Sequence, residues 1–352
     1  MRTTILLLFL TTTATVAAQT PREILSQSFT KGRQYLLANQ RKAGNFNYEI
    51  DFRTGRPSKT DNAVRQAGAL WGLALVHQKQ PTKATQEAYL QGLKFFAKCT
   101  AQVSDGRGLI RYPEQANSTG TIALVGLSLA DFLRSKTNLT SAQKKTCQKY
   151  LKQYLNMILS LRDEKGHFAS SYKNDGTAVG LPSPYFDGEC LLFLTRVAKY
   201  HGQKDLVKEI LESAANMYEN NVLAALRIDP DSNTTKGFYQ WGTMAYFEIY
   251  TSEWGPTVEL YGKRVMKMEQ WMMDTHAVLK RRRNTAYAFE GLACALEVAR
   301  LTKNKVAYTR LKKTIDAGMR KLTALQVDGP IPHENIRNVS FRAQLASGGI
   351  LN

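Results

Sequence analysis

The chain is short of cysteine, histidine and acidic residues, and each shortage excludes something. Its four cysteines, Cys99, Cys147, Cys190 and Cys294, lie far apart and form no CxxC. That argues against a thiolate zinc site, and a chain of this size needs no disulfide framework. Cys99 and Cys147 remain as a pair able to bridge, while Cys190 and Cys294 read as small core residues. The five histidines, His77, His167, His201, His276 and His333, fall into no HxH or HExxH pattern. They read as surface or loop residues, and no metal site or cofactor is expected. Acidic residues number 29 against 48 Lys and Arg, a formal charge of +19. This excess predicts an anionic partner: acidic polysaccharide, a membrane surface or nucleic acid.

Long apolar runs are also scarce. Residues 1–18 hold ILLLFL behind Arg2, followed by small residues up to Ala18. This is a secretory signal pattern with cleavage before Gln19, too short to span a bilayer, and no Cys stands there to carry a lipid. The mature chain, 19–352, is expected to be secreted, periplasmic or in the cell envelope, with no integral membrane segment, so nucleic acid becomes the weakest of the three partners.

What the sequence has in quantity is helical periodicity of two alternating kinds. Amphipathic segments with one wet face cover 22–40, 85–102, 141–161, 204–226, 257–276 and 307–326. Between them, segments 62–78, 118–135, 185–202, 238–252 and 284–302 are apolar nearly all round and rich in Gly and Ala. A helix apolar on every side must be enclosed by others. The inner segments recur at irregular intervals of roughly 46 to 67 residues, as helical hairpins with variable loops do. The expected fold is therefore all-α: a single α/α-toroid domain of about six hairpins, with a parallel inner barrel and an outer ring. After residue 327 the chain is too short and Gly-rich for a sixth inner helix, so the ring closes imperfectly or something fills the gap.

YLLANQRKAGNF (35–46), an outer helix ending in Gln and a Gly-aromatic turn, resembles the repeat of terpenoid cyclases and protein prenyltransferases; GRGLIRY (106–112) and KGHFASSY (165–172) echo it. RQAGALWGLAL (65–75) and YFDGECLLFLTRVAKYHG (185–202) resemble inner helices of six-hairpin sugar-active toroids: epimerases, lyases and unsaturated-glycan hydrolases. The resemblance covers most of the mature chain as architecture and implies a central site for a saccharide. No complete signature of any one family is present. The DXDD of squalene-type cyclases and the Asp, Cys, His zinc set of prenyltransferases are absent, which argues against both chemistries.

Connections from outer to inner helix (41–61, 103–117, 162–184, 227–237, 277–283) exceed the return connections in length. Long loops on a rigid scaffold carry function, so the working face should be where the inner helices begin and their N–H groups favour anions. Arg65, Arg107, Arg111 and KRRR (280–283), with Arg283 as its nearest member, stand near that face; the run also fits a solvated charge cluster.

Candidate substrate contacts are Asp61, Asn62, Arg65, Gln66, Tyr112, Asn117, Gln240, Trp241, Tyr287 and Arg283. Candidate catalytic groups are Glu189, Glu290 and Asp187, with Tyr185 or Tyr239 as a second proton donor and Tyr287 able to serve likewise. Several also suit structure alone: Asp61, Asn62 and Asn117 as helix caps, Asp187 as a first-turn acid. Glu189 and Glu290 lie among apolar neighbours, where an ionised carboxylate needs a partner; structural pairing and catalysis both fit. Glu248, deeper in its helix, reads as a buried structural acid, and Trp71, Trp241, Trp254 and Trp271 as core or rim packing. Three functions are compatible with these features. The first is an exported enzyme acting on an anionic, uronate-containing glycan by general acid/base chemistry as a hydrolase, lyase or epimerase. The second is a non-catalytic toroid binding glycan, peptide or lipid. The third is a basic scaffold held to envelope polymers. Oligomeric state is not legible.

Overall fold

The computed structural model describes residues 19–281, 286–332 and 344–351. The expected signal segment 1–18, Arg283, Asn284 and His333 lie outside the described residues.

Four of the outer helices begin on side-chain caps. Thr20 accepts from the Glu23 amide while Glu23 reaches back to the Thr20 N–H, starting α1 (Pro21–Ala38) with Pro at its first position. Thr82 and Thr140 do the same for α3 (Lys83–Lys98) and α5 (Ser141–Ser160), with Thr85 and Gln143 as the reciprocal partners. The remaining outer helices are α7 (Val207–Tyr218), continued through a π-helical turn Glu219–Ala224 into α8 (Ala225–Ile228), then α10 (Val258–Asp274) and α12 (Lys305–Ala324).

The inner helices are α2 (Ala63–Lys79), α4 (Thr119–Leu133), α6 (Pro184–Tyr200), α9 (Asn233–Tyr250) and α11 (Ala286–Leu301). They pack on one another in that order and each is backed by outer helices. In α4 every residue from Thr119 to Phe132 is buried, as a fully enclosed helix requires. Gly120 allows α4 and α6 to approach closely: a Cβ there would lie 2.4 Å from the Phe186 ring and 2.6 Å from Glu189 Oε2. The apolar core is continuous from Phe46 to Leu322. This is an α/α toroid with the alternation the sequence predicts.

The ring is closed by the C-terminal segment. Where a sixth inner helix would stand, 344–351 runs back against α1 and the end of α12: the amide of Val327 donates to Gly349 O (2.7 Å), that of Leu351 to Leu325 O (2.9 Å), and Asn39 Nδ2 to Leu345 O (2.8 Å). Gly348, at φ +86°, sits where a Cβ would lie 2.1 Å from the Lys31 carbonyl oxygen.

Four details correct the sequence reading. The fourth inner helix starts at Asn233 rather than 238, because Ser232 caps it, so the connection before it is only 229–232. The segment expected as helix to 102 ends at Lys98, and Thr100–Gln102 pairs instead with Gly108–Ile110 as a short antiparallel ribbon. Cys99 and Cys147 are both free thiols. His77, His167 and His276 are buried rather than on the surface, each held by side-chain hydrogen bonds.

Candidate active site

Two of the expected site residues hold loops. At the end of α1 the chain turns through Gly44 (φ +107°), and Gln66 in the first turn of α2 clamps the strand of chain beyond that turn: its Oε1 accepts from the Phe46 amide (2.7 Å) and its Nε2 donates to Phe46 O (2.8 Å) and Asp61 Oδ1 (2.7 Å). Two hairpins later the device recurs. The turn passes through Gly166 (φ +84°), and Asp187, in the first turn of α6, accepts from the Phe168 amide (3.0 Å), His167 Nδ1 (2.6 Å) and Asn221 Nδ2 (3.0 Å). The carboxylate beside it raises the His167 pKa against the opposing effect of burial. Asp187 thus bonds to the loop and to Asn221 and, unlike the position expected for a catalytic group, does not line the central cavity.

Other candidates also turn inward to the fold. Asn62 caps α2 through the Arg65 amide (3.0 Å). Asn117 Nδ2 donates to Tyr172 O and Asn174 Oδ1, joining two loops. Tyr112 donates to Asp61 Oδ2 (2.6 Å), and both line a separate hollow of about 420 Å³; burial and that carboxylate raise the tyrosine pKa. Tyr239 is fully buried against Trp271 and Gly291, on the side of α9 turned to the outer ring, so it is no cavity proton donor. Successive helical residues point roughly 100° apart, and with Gln240 and Trp241 facing the lumen Tyr239 cannot. Tyr185 sits half-exposed on the rim with its ring over Gly237.

The structure does bring together Arg65, Gln240, Trp241, Tyr287 and Glu290. They line an open cavity of about 1190 Å³ at the end of the ring where the inner helices begin. Opposite them stand residues that sequence reasoning missed: Tyr35 from α1, and Tyr48, Glu49, Asp51, Phe52, Arg53 and Arg56 from the first long loop. The C-terminal segment adds Ala346, Gly349, Ile350 and Leu351, so the chain that closes the ring also walls the cavity. A polar, arginine-bearing loop before an apolar helix was the available signal for 48–56. Asp51 holds that loop by accepting from the Arg53 and Thr54 amides, which lowers its pKa.

The two glutamates expected to need partners differ. Glu290 accepts from Gln240 Nε2 (2.5 Å) in the cavity wall; burial raises its pKa and that hydrogen bond partly offsets the rise. Glu189 is 4% exposed, does not line the cavity, and its Oε2 has no hydrogen-bond partner among the described residues. Burial drives its pKa well above the ordinary 4.5, with Arg65 opposing. Arg65 itself makes no ion pair among the described residues and faces the cavity.

At the opposite, narrow end the polar groups are saturated. Arg196 bonds Asp131 and, through Nε, Glu248 Oε1 (3.2 Å). Trp71 Nε1 donates to Asp131 Oδ2 (2.8 Å), and Lys199 (2.9 Å) and Tyr200 (2.7 Å) complete the shell of Glu248 Oε2. Glu248 is the structural acid its position predicts. Trp71 and Trp241, with ring centroids 5.1 Å apart, separate this network from the cavity. No cluster of three or more His, Cys, Asp or Glu arranged for a metal occurs among the described residues, and no helix there is long and apolar enough to cross a membrane.

Solved structures share this architecture. A sugar epimerase from a ruminal bacterium matches with a TM-score of 0.64 at 10% identity over 87% of each chain. Cellobiose 2-epimerase from Spirochaeta thermophila matches with a TM-score of 0.60 at 14% identity, over 88% of this chain and 86% of that one. Both belong to the α/α-toroid class that the helix order and ring closure define here. No protein-family model and no curated protein matches the chain.

Proposed function

We propose that this chain is an exported carbohydrate-active enzyme, a single toroidal domain over 19–352, acting on an anionic, uronate-containing saccharide by general acid/base chemistry. The observation that carries this reading is one open cavity that brings Glu290, whose pKa burial raises, together with Arg53, Arg56 and Arg65 and the rings of Tyr48, Trp241 and Tyr287. Aromatic faces stack on sugar rings, guanidinium groups neutralise a substrate carboxylate, and a carboxyl of raised pKa delivers a proton near neutral pH. The names of the two structural relatives, both sugar epimerases, support a saccharide and favour epimerisation beside elimination or hydrolysis. Residues 1–18 and the charge of +19 support export and an acidic substrate.

The test is incubation with heparosan, alginate and pectin fragments and with cellobiose, followed for new reducing ends, unsaturated-uronate absorbance and epimer signals by NMR. Turnover of an acidic saccharide, lost in Glu290→Gln, is expected. Turnover of cellobiose alone removes the anionic substrate, and binding without turnover makes the protein a glycan-binding toroid.

A further inference from the structure

His276, a loop residue by its sequence pattern, has built surroundings. It follows α10 in the connection to α11, is 2% exposed, and its ring stacks on Trp271 at 5.2 Å. Ala277, next to it, holds the left-handed conformation at φ +52°, which turns the chain sharply. His276 Nδ1 lies 2.6 Å from Asp231 Oδ1, in the short connection before α9. Arg281 NH2 holds the other carboxylate oxygen at 2.5 Å, and its Nε donates to His276 O (2.8 Å). On its far side, His276 Nε2 is 3.3 Å from the hydroxyl of Tyr287, which lines the cavity one helical turn from Glu290.

We infer that Tyr287 is the base of the proposed reaction, with His276 and Asp231 as the chain that receives its proton. This rests on the acid/base reading of the cavity. Nδ1 faces two groups, Asp231 Oδ1 at 2.6 Å and Arg281 NH2, which can only donate, at 3.1 Å. With the nearer carboxylate as acceptor, Nδ1 carries the proton and the Nε2 lone pair is left to accept the Tyr287 O–H. The phenol oxygen then turns its lone pairs to the cavity. In the step, a substrate C–H or O–H proton passes to Tyr287 Oη as the phenol proton moves to His276 Nε2. The electron pair stays on the substrate, and the imidazolium is stabilised by Asp231. Glu290 supplies a proton to the substrate, and the reverse transfers restore both groups. His276 must be neutral to accept, and the direction of its pKa is the one this needs: burial lowers it, Asp231 raises it, and Arg281 and Lys236 lower it further. Beside His276, the groups that act on Tyr287 are Arg281, which lowers its pKa, and Tyr185 and Asp231, which add to the rise that burial causes. His276 and Asp231 act through Tyr287, so they are positioning residues.

Two measurements decide this. In ¹⁵N-histidine NMR of the intact protein, without substrate, His276 is expected as the neutral Nδ1–H tautomer, and Tyr287→Phe is expected to shift its Nε2 resonance. An Nε2–H tautomer, or no change in Tyr287→Phe, overturns the relay whatever the enzyme's reaction. On the saccharide found to turn over, Tyr287→Phe is expected to lower kcat roughly 100-fold or more with KM within about threefold. His276→Gln should lower kcat less and abolish the acid limb of the pH profile, with thermal unfolding near wild type in both. Full kcat in Tyr287→Phe, or an unchanged pH profile in His276→Gln, overturns the assignment. Absence of turnover in the wild type removes the catalytic role while the NMR result still judges the hydrogen bonds.

Discussion

The two ends of the barrel hold similar residue types under opposite conditions. At the narrow end Asp131, Arg196, Glu248, Lys199, Tyr200 and the Trp71 indole are mutually bonded. At the wide end, among the described residues, Arg65 faces a cavity without an ion pair, Glu290 has one amide, and Glu189 Oε2 has no hydrogen bond. Buried polar groups in folded proteins are normally satisfied. Of these three, Arg65 is exposed to the cavity, Glu290 keeps one hydrogen bond, and Glu189 Oε2 is the buried atom without a partner among the described residues. The narrow end is a plug and the wide end holds the candidate site.

The largest way to break the comparison is at the plug. Arg196→Ala leaves Asp131 and Glu248 buried beside missing charge and is expected to lower stability by about 3 to 5 kcal/mol, read by chemical denaturation. A loss under about 1 kcal/mol would mean the plug is solvated and the contrast false.

Glu290→Gln is expected to lower kcat by about 10² to 10³ on the responsive saccharide with little change in melting temperature. Retained activity would move the chemistry elsewhere in the cavity.

Glu189→Gln sharpens the contrast in sign. Its folded pKa is raised, so the ionised form is penalised in the native state; the penalty is absent below the ordinary value of 4.5 and grows as pH rises towards the folded value. The variant should therefore be more stable than wild type at neutral pH and equal to it at about pH 4, with kcat within a few-fold of wild type. A loss of activity beyond roughly 100-fold would extend the site to this carboxyl.

The smallest effect is expected at the rim. Arg53→Ala with Arg56→Ala should raise KM for an acidic saccharide several-fold at low salt and less at high salt, as exposed charges do. Equal effects on neutral and acidic sugars would count against the anionic substrate.

Much of this is legible in the sequence, and the failures are specific. Periodicity places outer and inner helices in the right order, and the long connections, apart from the short 229–232, lie at the end of the ring where the cavity opens. Glu290, Gln240, Trp241, Tyr287 and Arg65, polar or aromatic near the starts of apolar helices, do meet in the cavity. Gln66 and Asp187 fit the same pattern, yet their partners are the amides of Phe46 and Phe168, 20 and 19 residues upstream. A polar side chain in the first turn of a buried helix has the same local signature whether it faces a substrate or a returning loop. Tyr239 fails because the helix starts five residues early and its neighbours already face the lumen. His276 escapes sequence reading because its partners come from two other segments, Asp231 before α9 and Tyr287 in α11.

By itself the sequence determined the class of fold, because an all-apolar helix has to be enclosed and an amphipathic one has to enclose it, wherever either lies. It also determined the caps, whose partners lie within a single turn. Only the tertiary structure decided how the ring closes and which polar groups remain unpaired. Both depend on contacts such as Asn39 with Leu345, or Arg196 between Asp131 and Glu248, that no local pattern encodes.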